Sequence, residues 1–411
     1  MNAPLKTPSA ELRPARRTEN VKSSMVREIL KVTQRPDIIS LAGGLPAPES
    51  FPVDELREAF EAVLREDGRA ALQYSTTEGH APLREWIAAQ ETARGIPTSP
   101  EEVLIVAGSQ QALDLIGKAF AEPGAAFLVE SPTYLGALQA FSVFEPEFRA
   151  VPTDADGVQP AALDASNTRG ARLLYVMPNF QNPSGLTLSA ERRAQLAEAA
   201  RKHDLWLVED DPYGELWYEH APPPSLRAWA PERTIRVCSF SKVLAPGLRL
   251  GFVIAPRACI DLFVRLKQAT DLHTATVSQR AAHRVLAGGL LERQLPQVRS
   301  RYAAQCKVML EALQAHMPQG VTWTRPAGGM FAWLTLPQHV DATALLDRAI
   351  ERKVAYVPGE PFFASAPQKN TLRLSFVTVS PERIRSGVQT LAGIIGAAIA
   401  NDTRKRVEPC C

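Results

Sequence analysis

Polar side chains recur directly after short apolar runs of this sequence, and one of them is a lysine that could act as a nucleophile or general base. They are Ser109 and Gln110 after LIVA, Tyr134 after FLVESP, Asn182 after LLYVMPNFQ, Asp210 after LWLVE and Lys242 after IRVCSFS. Ligands of open α/β sheets bind beyond the carboxyl ends of the strands. A polar residue after one strand is usually only part of a loop, but five such positions in register predict a binding site at one edge of a sheet.

Other kinds of site find no support in the motifs. The seven histidines lack a metal-binding spacing such as H-E-x-x-H, which disfavours a zinc site. No G-x-G-x-x-G fingerprint, Walker loop or G-x-S-x-G elbow occurs in the sequence.

Charge and hydropathy patterning also exclude several classes of protein. The 46 basic and 44 acidic residues leave a formal charge of +2, which offers no electrostatic argument for nucleic acid or a membrane surface as partner. No apolar run is long enough to span a bilayer, and the N-terminus lacks the apolar segment of a signal peptide. The five scattered cysteines indicate reduced thiols, so we expect a cytoplasmic protein.

The elements that must position these residues alternate between strand and helix. The predicted strands are 103–107, 126–129, 173–177, 205–208, 235–238 and 252–255, and the predicted helices are 25–31, 190–203 and 291–317. Short continuous apolar strands separated by helices are typical of a mainly parallel sheet covered on both faces. Beyond residue 290, the long charged helix and the segments 321–336 and 372–376 indicate a smaller α+β domain.

Three motifs resemble those of class I/II aminotransferases, which use pyridoxal 5'-phosphate (PLP). They are Ser239-Phe-Ser-Lys242 with Arg249 downstream, Asn182-Pro-Ser-Gly185 and Asp210-Asp-Pro-Tyr213. The phrases SLAGGLP, YSTTEGH and PNFQNPSGLTLS are most similar to the 2-aminoadipate aminotransferase branch. The resemblance covers residues 23–395 and implies the α/β PLP-transferase fold of type I.

This fold predicts a definite organisation of the chain. The expected parts are a flexible leader 1–20, an N-terminal arm 21–45 that joins the small domain, a large PLP-binding domain 46–288, a small C-terminal domain 289–400 and a polar tail 401–411.

The resemblance assigns the reactive groups of the cofactor to individual residues. Lys242 would hold PLP as a Schiff base and then serve as general acid and base. Asp210 would keep the pyridine nitrogen protonated. Asn182 and Tyr213 would hydrogen-bond the phenolic oxygen, and Tyr134 would stack on the ring.

The acidic run leaves an alternative and two departures from the branch. Asp211 is the rival of Asp210, but Asp210 has the three-residue spacing to Tyr213 that the family motif requires. The branch tends to read E-D-D-x-Y-R, whereas this chain has Pro212 and Gly214, which stiffen the loop and remove a side chain near the cofactor. Both departures concern the substrate rather than the cofactor chemistry.

The phosphate group requires a cationic cup that is rich in donors. The stretch Gly108-Ser109-Gln110 stands where a strand turns into a helix, so backbone N–H groups and the positive end of the helix dipole would face an anion. By resemblance, Ser239 and Arg249 complete the cup, with the arginine as a bidentate partner. Tyr74 resembles the family's tyrosine that reaches the phosphate of the neighbouring subunit, which implies a homodimer with shared active sites.

The substrate's α-carboxylate requires a further cation. Arg373 in Leu-Arg-Leu-Ser matches the family's carboxylate clamp, with Gly44 and Asn182 as further substrate contacts. The segment 23–31 resembles the N-terminal helix of 2-aminoadipate aminotransferases, in which an arginine, here Arg27, can turn toward acidic side chains. The alternative is that Arg27 pairs with a carboxylate on the helix surface.

The predicted function is transfer of the amino group of an L-amino acid to a 2-oxo acid, such as 2-oxoglutarate, by a ping-pong mechanism. A PLP-dependent lyase, decarboxylase or cyclase would share every cofactor contact, because the fate of the carbanion depends on substrate orientation. An aminotransferase-like transcription regulator would carry a DNA-binding helix-turn-helix, which the polar segment before Ala42 and the near-neutral charge do not support. A catalytically dead relative is disfavoured because each expected site residue is present.

Overall fold

The computed structural model describes residues 13–19, 29 and 35–407 of the chain. The strands are β1 Ile39–Ser40, β2 Val103–Val106, β3 Ala126–Ser131, β4 Glu147–Asp154, β5 Gly157–Val158, β6 Ala171–Val176, β7 Trp206–Asp211, β8 Thr234–Ser239, β9 Gly251–Ile254, β10 Thr322–Trp323, β11 Phe331–Thr335, β12 Val354–Ala355, β13 Val357–Pro358 and β14 Thr371–Ser375. The α-helices are α1 Val53–Ala71, α2 Ala81–Ala93, α3 Ser109–Phe120, α4 Leu135–Ser142, α5 Ala190–Lys202, α6 Arg257–Gln268, α7 Thr276–Ala287, α8 Leu290–His316, α9 Leu346–Glu351 and α10 Pro381–Val407.

The central sheet has eight strands in the order β2-β9-β8-β7-β6-β3-β4-β5. The pairs from β8 through β7, β6 and β3 to β4 are parallel, which confirms the predicted mainly parallel sheet. Strand β9 runs antiparallel to both of its neighbours, and β5 runs antiparallel to β4. The reversal of β9 follows from its connection, because residues 240–250 contain no crossover helix that could return the chain to the start of a parallel strand.

Both faces of the sheet are buried, and alternate residues of strands β3, β6 and β7 contribute to different cores. Leu173, Tyr175 and Val208 belong to one buried cluster, whereas Leu174 and Leu207 belong to the other. This is the period-two alternation of a strand that is covered on both sides. The first cluster continues into the second sheet, so a single core connects the two sheets.

The second sheet has four strands in the order β10-β11-β14-β13, and all its pairs are antiparallel. Strand β1 pairs in parallel with β12, and Leu41 accepts a hydrogen bond from the backbone N–H of Ser375 at 2.7 Å. The segment after β1 is thereby held beside β14. The predicted domain boundaries remain a prediction.

The sequence placed the end of β7 too early. The strand was expected over 205–208, but it extends through Asp211 and includes all three carboxylates of Glu209-Asp210-Asp211. The reason is that the adjacent strand β8 carries an arginine, Arg236, opposite Glu209, which makes the acidic end of β7 compatible with pairing.

Several predictions for the chain ends lie outside the described residues. These are most of the leader 1–20, the helix 25–31 except Ile29, and the end of the tail. Within the part of the chain that the structure describes, no helix combines the length and the apolar character needed to cross a bilayer.

Candidate active site

The acidic end of β7 divides its three carboxylates between the two faces of the sheet. Successive side chains of a strand point to opposite faces. Glu209 and Asp211 both contact Arg236, at 3.4 and 2.8 Å, whereas Asp210 contacts Tyr175 of β6 on the other face. The two neighbouring aspartates therefore have different environments and different chemical capacities.

Asp210 is buried and only half-satisfied. Its Oδ2 accepts a hydrogen bond from the Tyr175 hydroxyl at 2.7 Å, and its Oδ1 is buried without a hydrogen-bond partner. Burial, opposed by the Tyr175 bond and reinforced by the charge of Asp211, raises the pKa of Asp210 to about 7. A buried carboxylate oxygen without a partner is costly, so this atom is suited to accept a proton-bearing group of a ligand.

Asp211 is fully engaged by the protein. Its Oδ2 accepts from Arg236 Nη2 at 2.8 Å, and its Oδ1 accepts from the Gly214 N–H at 2.8 Å. Although burial alone would raise it, the Arg236 guanidinium holds the pKa of Asp211 below its usual range. A Cβ on Gly214 would lie 2.6 Å from Asp211 Oδ2, so the glycine permits this close approach. Gly214 was expected to leave space near the cofactor, but the position where its side chain would begin faces Asp211.

Lys242 lies in the connection between β8 and β9 and is half-buried. Its Nζ donates a hydrogen bond to the Gly44 carbonyl at 2.8 Å. Burial, together with the charges of Arg373 and Arg249, lowers the pKa of Lys242 to about 8. A larger fraction of this amine is neutral near pH 7 than in an ordinary lysine, so it is a better nucleophile and base.

Arg373 of β14 joins the N-terminal segment to the loop that carries Asn182. Its Nη2 donates to the Ala42 carbonyl at 2.9 Å and its Nη1 donates to Asn182 Oδ1 at 2.7 Å, while its buried Nε has no partner. The guanidinium carbon lies 4.2 Å from the centre of the Phe331 ring, which supports the cation on an apolar face. Burial lowers the pKa of Arg373 to about 10, so the residue stays charged near neutral pH.

Two tyrosines connect these groups. Burial and the Asp210 carboxylate raise the pKa of Tyr134 to about 12, and Arg373 and Arg249 oppose that shift. Burial likewise raises the pKa of Tyr213, whose neighbours are Tyr134, Arg373, Asp210 and Asn182. These mutual electrostatic effects show that six of the residues are neighbours: Lys242, Asp210, Asn182, Tyr134, Tyr213 and Arg373.

The residues of the predicted anion cup lie around the start of α3. Gly108 precedes Ser109 with a φ of 86°, and a Cβ there would lie 2.6 Å from Arg249 Nη2. Arg249 also donates to the Ala107 carbonyl at 3.3 Å. Gly251 of β9 pairs with Val106 on one side and with Ser239 on the other, so the serine lies one strand away from the segment that leads into the helix.

Two predicted residues stand apart from this cluster. Gln110 is exposed and donates to the Gly136 carbonyl at 3.0 Å. Tyr74 is 78% exposed, and its described ring contact is with His273 at 5.9 Å. Arg27 lies outside the described residues.

Sequence reasoning missed three buried polar residues that support the site. Tyr175 bonds Asp210, Arg236 binds Asp211, and Glu130 Oε2 accepts from the Met177 N–H at 2.9 Å and from Gln181 Nε2 at 3.1 Å. Each lies in an otherwise apolar strand, where a polar side chain must find a buried partner. That placement was the signal that could have identified them. Among the described residues, no cluster of His, Cys, Asp and Glu could hold a metal ion.

The variants Asp210→Asn and Asp211→Asn should change the melting temperature of the cofactor-free protein in opposite directions. Asp211→Asn removes a charged partner of buried Arg236, and we expect the melting temperature of the cofactor-free protein to fall by about 5 °C or more at pH 8. Asp210→Asn should instead raise it by about 2–5 °C at pH 8. The pKa of Asp210 is raised on folding, so its cost to stability grows as the pH rises from about 4 to about 7 and is fully present above that.

Thermal unfolding at pH 5 and pH 8 measures both effects. Glu232→Gln, which removes the partner of Arg201 in an exposed ion pair, is the control and should change the melting temperature little. Equal losses for the two aspartate variants would contradict the assignment.

Comparison with known proteins agrees with this geometry. Residues 36–391 match the sequence model of the family described as aminotransferase class I and II. An aromatic-amino-acid aminotransferase 1 of Thermococcus litoralis is 45% identical over 91% of this chain and 92% of its own length. A 2-aminoadipate transaminase of Thermus thermophilus is 46% identical over 92% of this chain and 96% of its own length.

A solved structure is also similar throughout. The alpha-aminoadipate aminotransferase of Thermus thermophilus, complexed with N-(5'-phosphopyridoxyl)-L-leucine, has a TM-score of 0.86 and 43% identity, and the match covers 94% of this chain and 98% of that one. The chain therefore belongs to the class I and II aminotransferase family and is a PLP-dependent aminotransferase of fold type I.

Proposed function

We propose that this aminotransferase moves the amino group of an L-amino acid to 2-oxoglutarate in two half-reactions, with Lys242 and Asp210 as the catalytic residues. The observation that carries the proposal is the buried, unpartnered Oδ1 of Asp210 in the same site as a lysine amine whose pKa is lowered. In a ping-pong sequence the first product leaves before the second substrate binds, so one site must accept both substrates in turn.

The donor set fits PLP. The bound cofactor supplies an aldehyde that captures amines and a pyridine ring that accepts electrons from the substrate carbon. Asp210 Oδ1 would accept a hydrogen bond from the protonated pyridine nitrogen, and burial would strengthen this bond. Asp211 offers no such oxygen, because both of its carboxylate oxygens already accept hydrogen bonds from the protein.

Lys242 has two tasks in the proposal. Its Nζ would bind the cofactor covalently, and once the amino acid has taken its place, the freed amine would carry a proton to and from the substrate Cα. A pKa near 8 suits both tasks, because the amine can be neutral when it attacks and can still hold a proton when it returns one. The Gly44 carbonyl, 2.8 Å from Nζ, helps to fix its direction.

The remaining residues bind and orient. Asn182 accepts from Arg373 through Oδ1 and hydrogen-bonds Tyr213, so these two neighbouring side chains would together contact the phenolic oxygen. The Tyr134 ring would pack on the face of the pyridine. The N–H groups at the start of α3, with Ser239 and Arg249, would bind the phosphate, with Gln110 as a further contact.

Arg373 is the proposed clamp for the α-carboxylate of the substrate. Its unpartnered Nε and its position beside Gly44, where a Cβ would lie 3.9 Å from Nη2, support this role. A planar guanidinium can bind a carboxylate through two parallel hydrogen bonds. Arg27 is the proposed partner of an acidic side chain, which would allow the same site to accept 2-oxoglutarate.

The proposal includes a homodimer with shared sites in the cytoplasm. The high exposure of Tyr74, a large aromatic side chain, supports the expectation that it contacts a second copy. Leu72, close by in sequence, is 73% exposed and extends the apolar surface.

The attachment of the cofactor can be tested by chemical reduction. We expect the purified protein to be yellow, and borohydride followed by peptide mapping should place the label on Lys242, because its amine is the one with a pKa near 8 within the site. Lys267 is also buried but is bonded to Asp271 at 2.7 Å, so its peptide is an internal control that should stay unlabelled. A label on any other lysine would refute the proposed attachment.

The role of Asp210 can be tested by activity. Asp210→Ala should keep PLP bound but lower the rate of transamination by about 100-fold or more, because the pyridine nitrogen loses its charged partner. Asp211→Asn, normalised to folded protein, should change the rate by less than about tenfold. Half-reaction spectra with one amino acid and no 2-oxo acid measure the effect directly, and the reverse ranking would show that the assignment within the acidic run is wrong.

Shared sites can be tested by subunit mixing. Tyr74→Ala and Lys242→Ala subunits are each inactive, but a hybrid dimer has one site with both native residues. Random mixing should therefore restore up to about a quarter of the native activity. Lys242→Ala mixed with a subunit that carries both substitutions is the control, and verified hybrids without recovery would indicate self-contained sites.

A further inference from the structure

Tyr175 lies in the middle of the central sheet, on the face that carries Asp210. Its side chain is fully buried, and its ring packs edge-on against Phe141 with 5.9 Å between ring centres. Its hydroxyl donates to Asp210 Oδ2 at 2.7 Å. In the described part of the chain, this is the hydrogen bond that the side chain of Asp210 makes with protein, since Oδ1 has no partner.

This bond makes the two oxygens of Asp210 different. A carboxylate held at one oxygen by a rigid phenol cannot rotate freely about its Cβ–Cγ bond without breaking that bond. Oδ1 consequently points in a defined direction, and its lone pairs remain available to a ligand. The register supports this arrangement, because Tyr175 lies opposite Val208, two residues before Asp210 on the same face.

We propose that Tyr175 is a positioning residue for the cofactor, which orients Asp210 so that Oδ1 is presented to the pyridine nitrogen and keeps the carboxylate ionised while it does so. This inference rests on the proposed role of Asp210. Tyr175 does not touch the cofactor in this scheme but acts through the carboxylate.

The electrostatic surroundings show why such a donor is needed. The titratable groups around Asp210 are Glu130 on β3, Tyr175 on β6, its neighbour Asp211, and Tyr134 and Tyr213 in the loops. Burial and Asp211 both favour the neutral form of Asp210, and the Tyr175 hydroxyl opposes them by bonding the ionised form. Burial raises the pKa of Glu130 to about 8, so this second carboxyl group is mostly neutral at pH 7 and repels Asp210 little.

Tyr175→Phe keeps the ring and removes only the hydroxyl. We expect the affinity of the cofactor-free protein for PLP to fall about tenfold and kcat to fall about tenfold with little change in KM, the effect of one hydrogen bond to a charged group. The melting temperature of the cofactor-free variant should fall more at pH 8 than at pH 5, because the hydroxyl binds the ionised carboxylate more strongly than the neutral carboxyl group. Tyr356→Phe is the matched control, since it removes another fully buried hydroxyl, one that donates to the Ala342 carbonyl at 2.5 Å.

A double-mutant cycle distinguishes failure of this inference from failure of the proposed function. If Asp210→Asn alone leaves activity and PLP affinity unchanged, the role of Asp210 is wrong. If Asp210→Asn is impaired but Tyr175→Phe behaves like Tyr356→Phe, or if the Tyr175→Phe loss is undiminished in the Asp210→Asn background, Tyr175 is not a positioning residue.

A second variant keeps the test valid if Tyr175→Phe folds poorly. Fluorotyrosine at position 175 retains the ring and hydroxyl but makes the phenol a stronger donor, so the midpoint of the pH-dependent stability should move downward. A midpoint that stays in place or moves upward would overturn the proposal.

Discussion

The alternation of side chains along β7 is the constraint from which the site follows. Three consecutive carboxylates would repel one another if they shared a face, but the pleat sends Asp210 to one side and Glu209 and Asp211 to the other. Arg236 on the adjacent strand binds the latter pair and also buried Glu91. Arg236 offsets part of the acidic charge on that face, while Asp210 lies on the opposite face with one oxygen unused. Because β7 carries both Asp210 and the partners of Arg236, loss of the Arg236 contacts would also affect Asp210.

A second link holds the substrate side of the site to the cofactor side. Arg373 binds Ala42 in the N-terminal segment and Asn182 in the loop after β6. Two further hydrogen bonds hold that loop in place, because the Gln181 side chain donates to Glu130 and to the Pro132 carbonyl. Through its two hydrogen bonds, Arg373 connects segments that are far apart in the chain. Movement of the N-terminal segment would consequently shift Asn182, which is proposed to contact the cofactor's phenolic oxygen.

The sequence was most informative where chemistry restricts the residue type. Lys242, Asp210, Asn182 and Arg373 could be predicted because their motifs require a particular group at a particular spacing. The strands were recognisable by their apolar runs, but the end of β7 was not, because its acidic residues become compatible with a strand only when Arg236 lies beside them. Tyr175 and Glu130 were missed for a similar reason: their partners, Asp210 and Gln181, are 35 and 51 residues away in the chain. Such pairs are fixed by strand order, which local patterns do not reveal.

The site combines groups whose charges the fold itself disfavours. Burial raises the pKa of Asp210 and lowers the pKa values of Lys242 and Arg373, so each charged form is less stable there than in water. The protein tolerates this because its own fixed donors and acceptors, Tyr175, Gly44 and Asn182, satisfy one side of each group and leave another side available. A flexible surface site could hold the same residues without strain, but solvent would then satisfy them and weaken their effect on a ligand. The partial satisfaction of buried charges at this end of the sheet thus leaves Asp210 Oδ1 and Arg373 Nε available to a ligand.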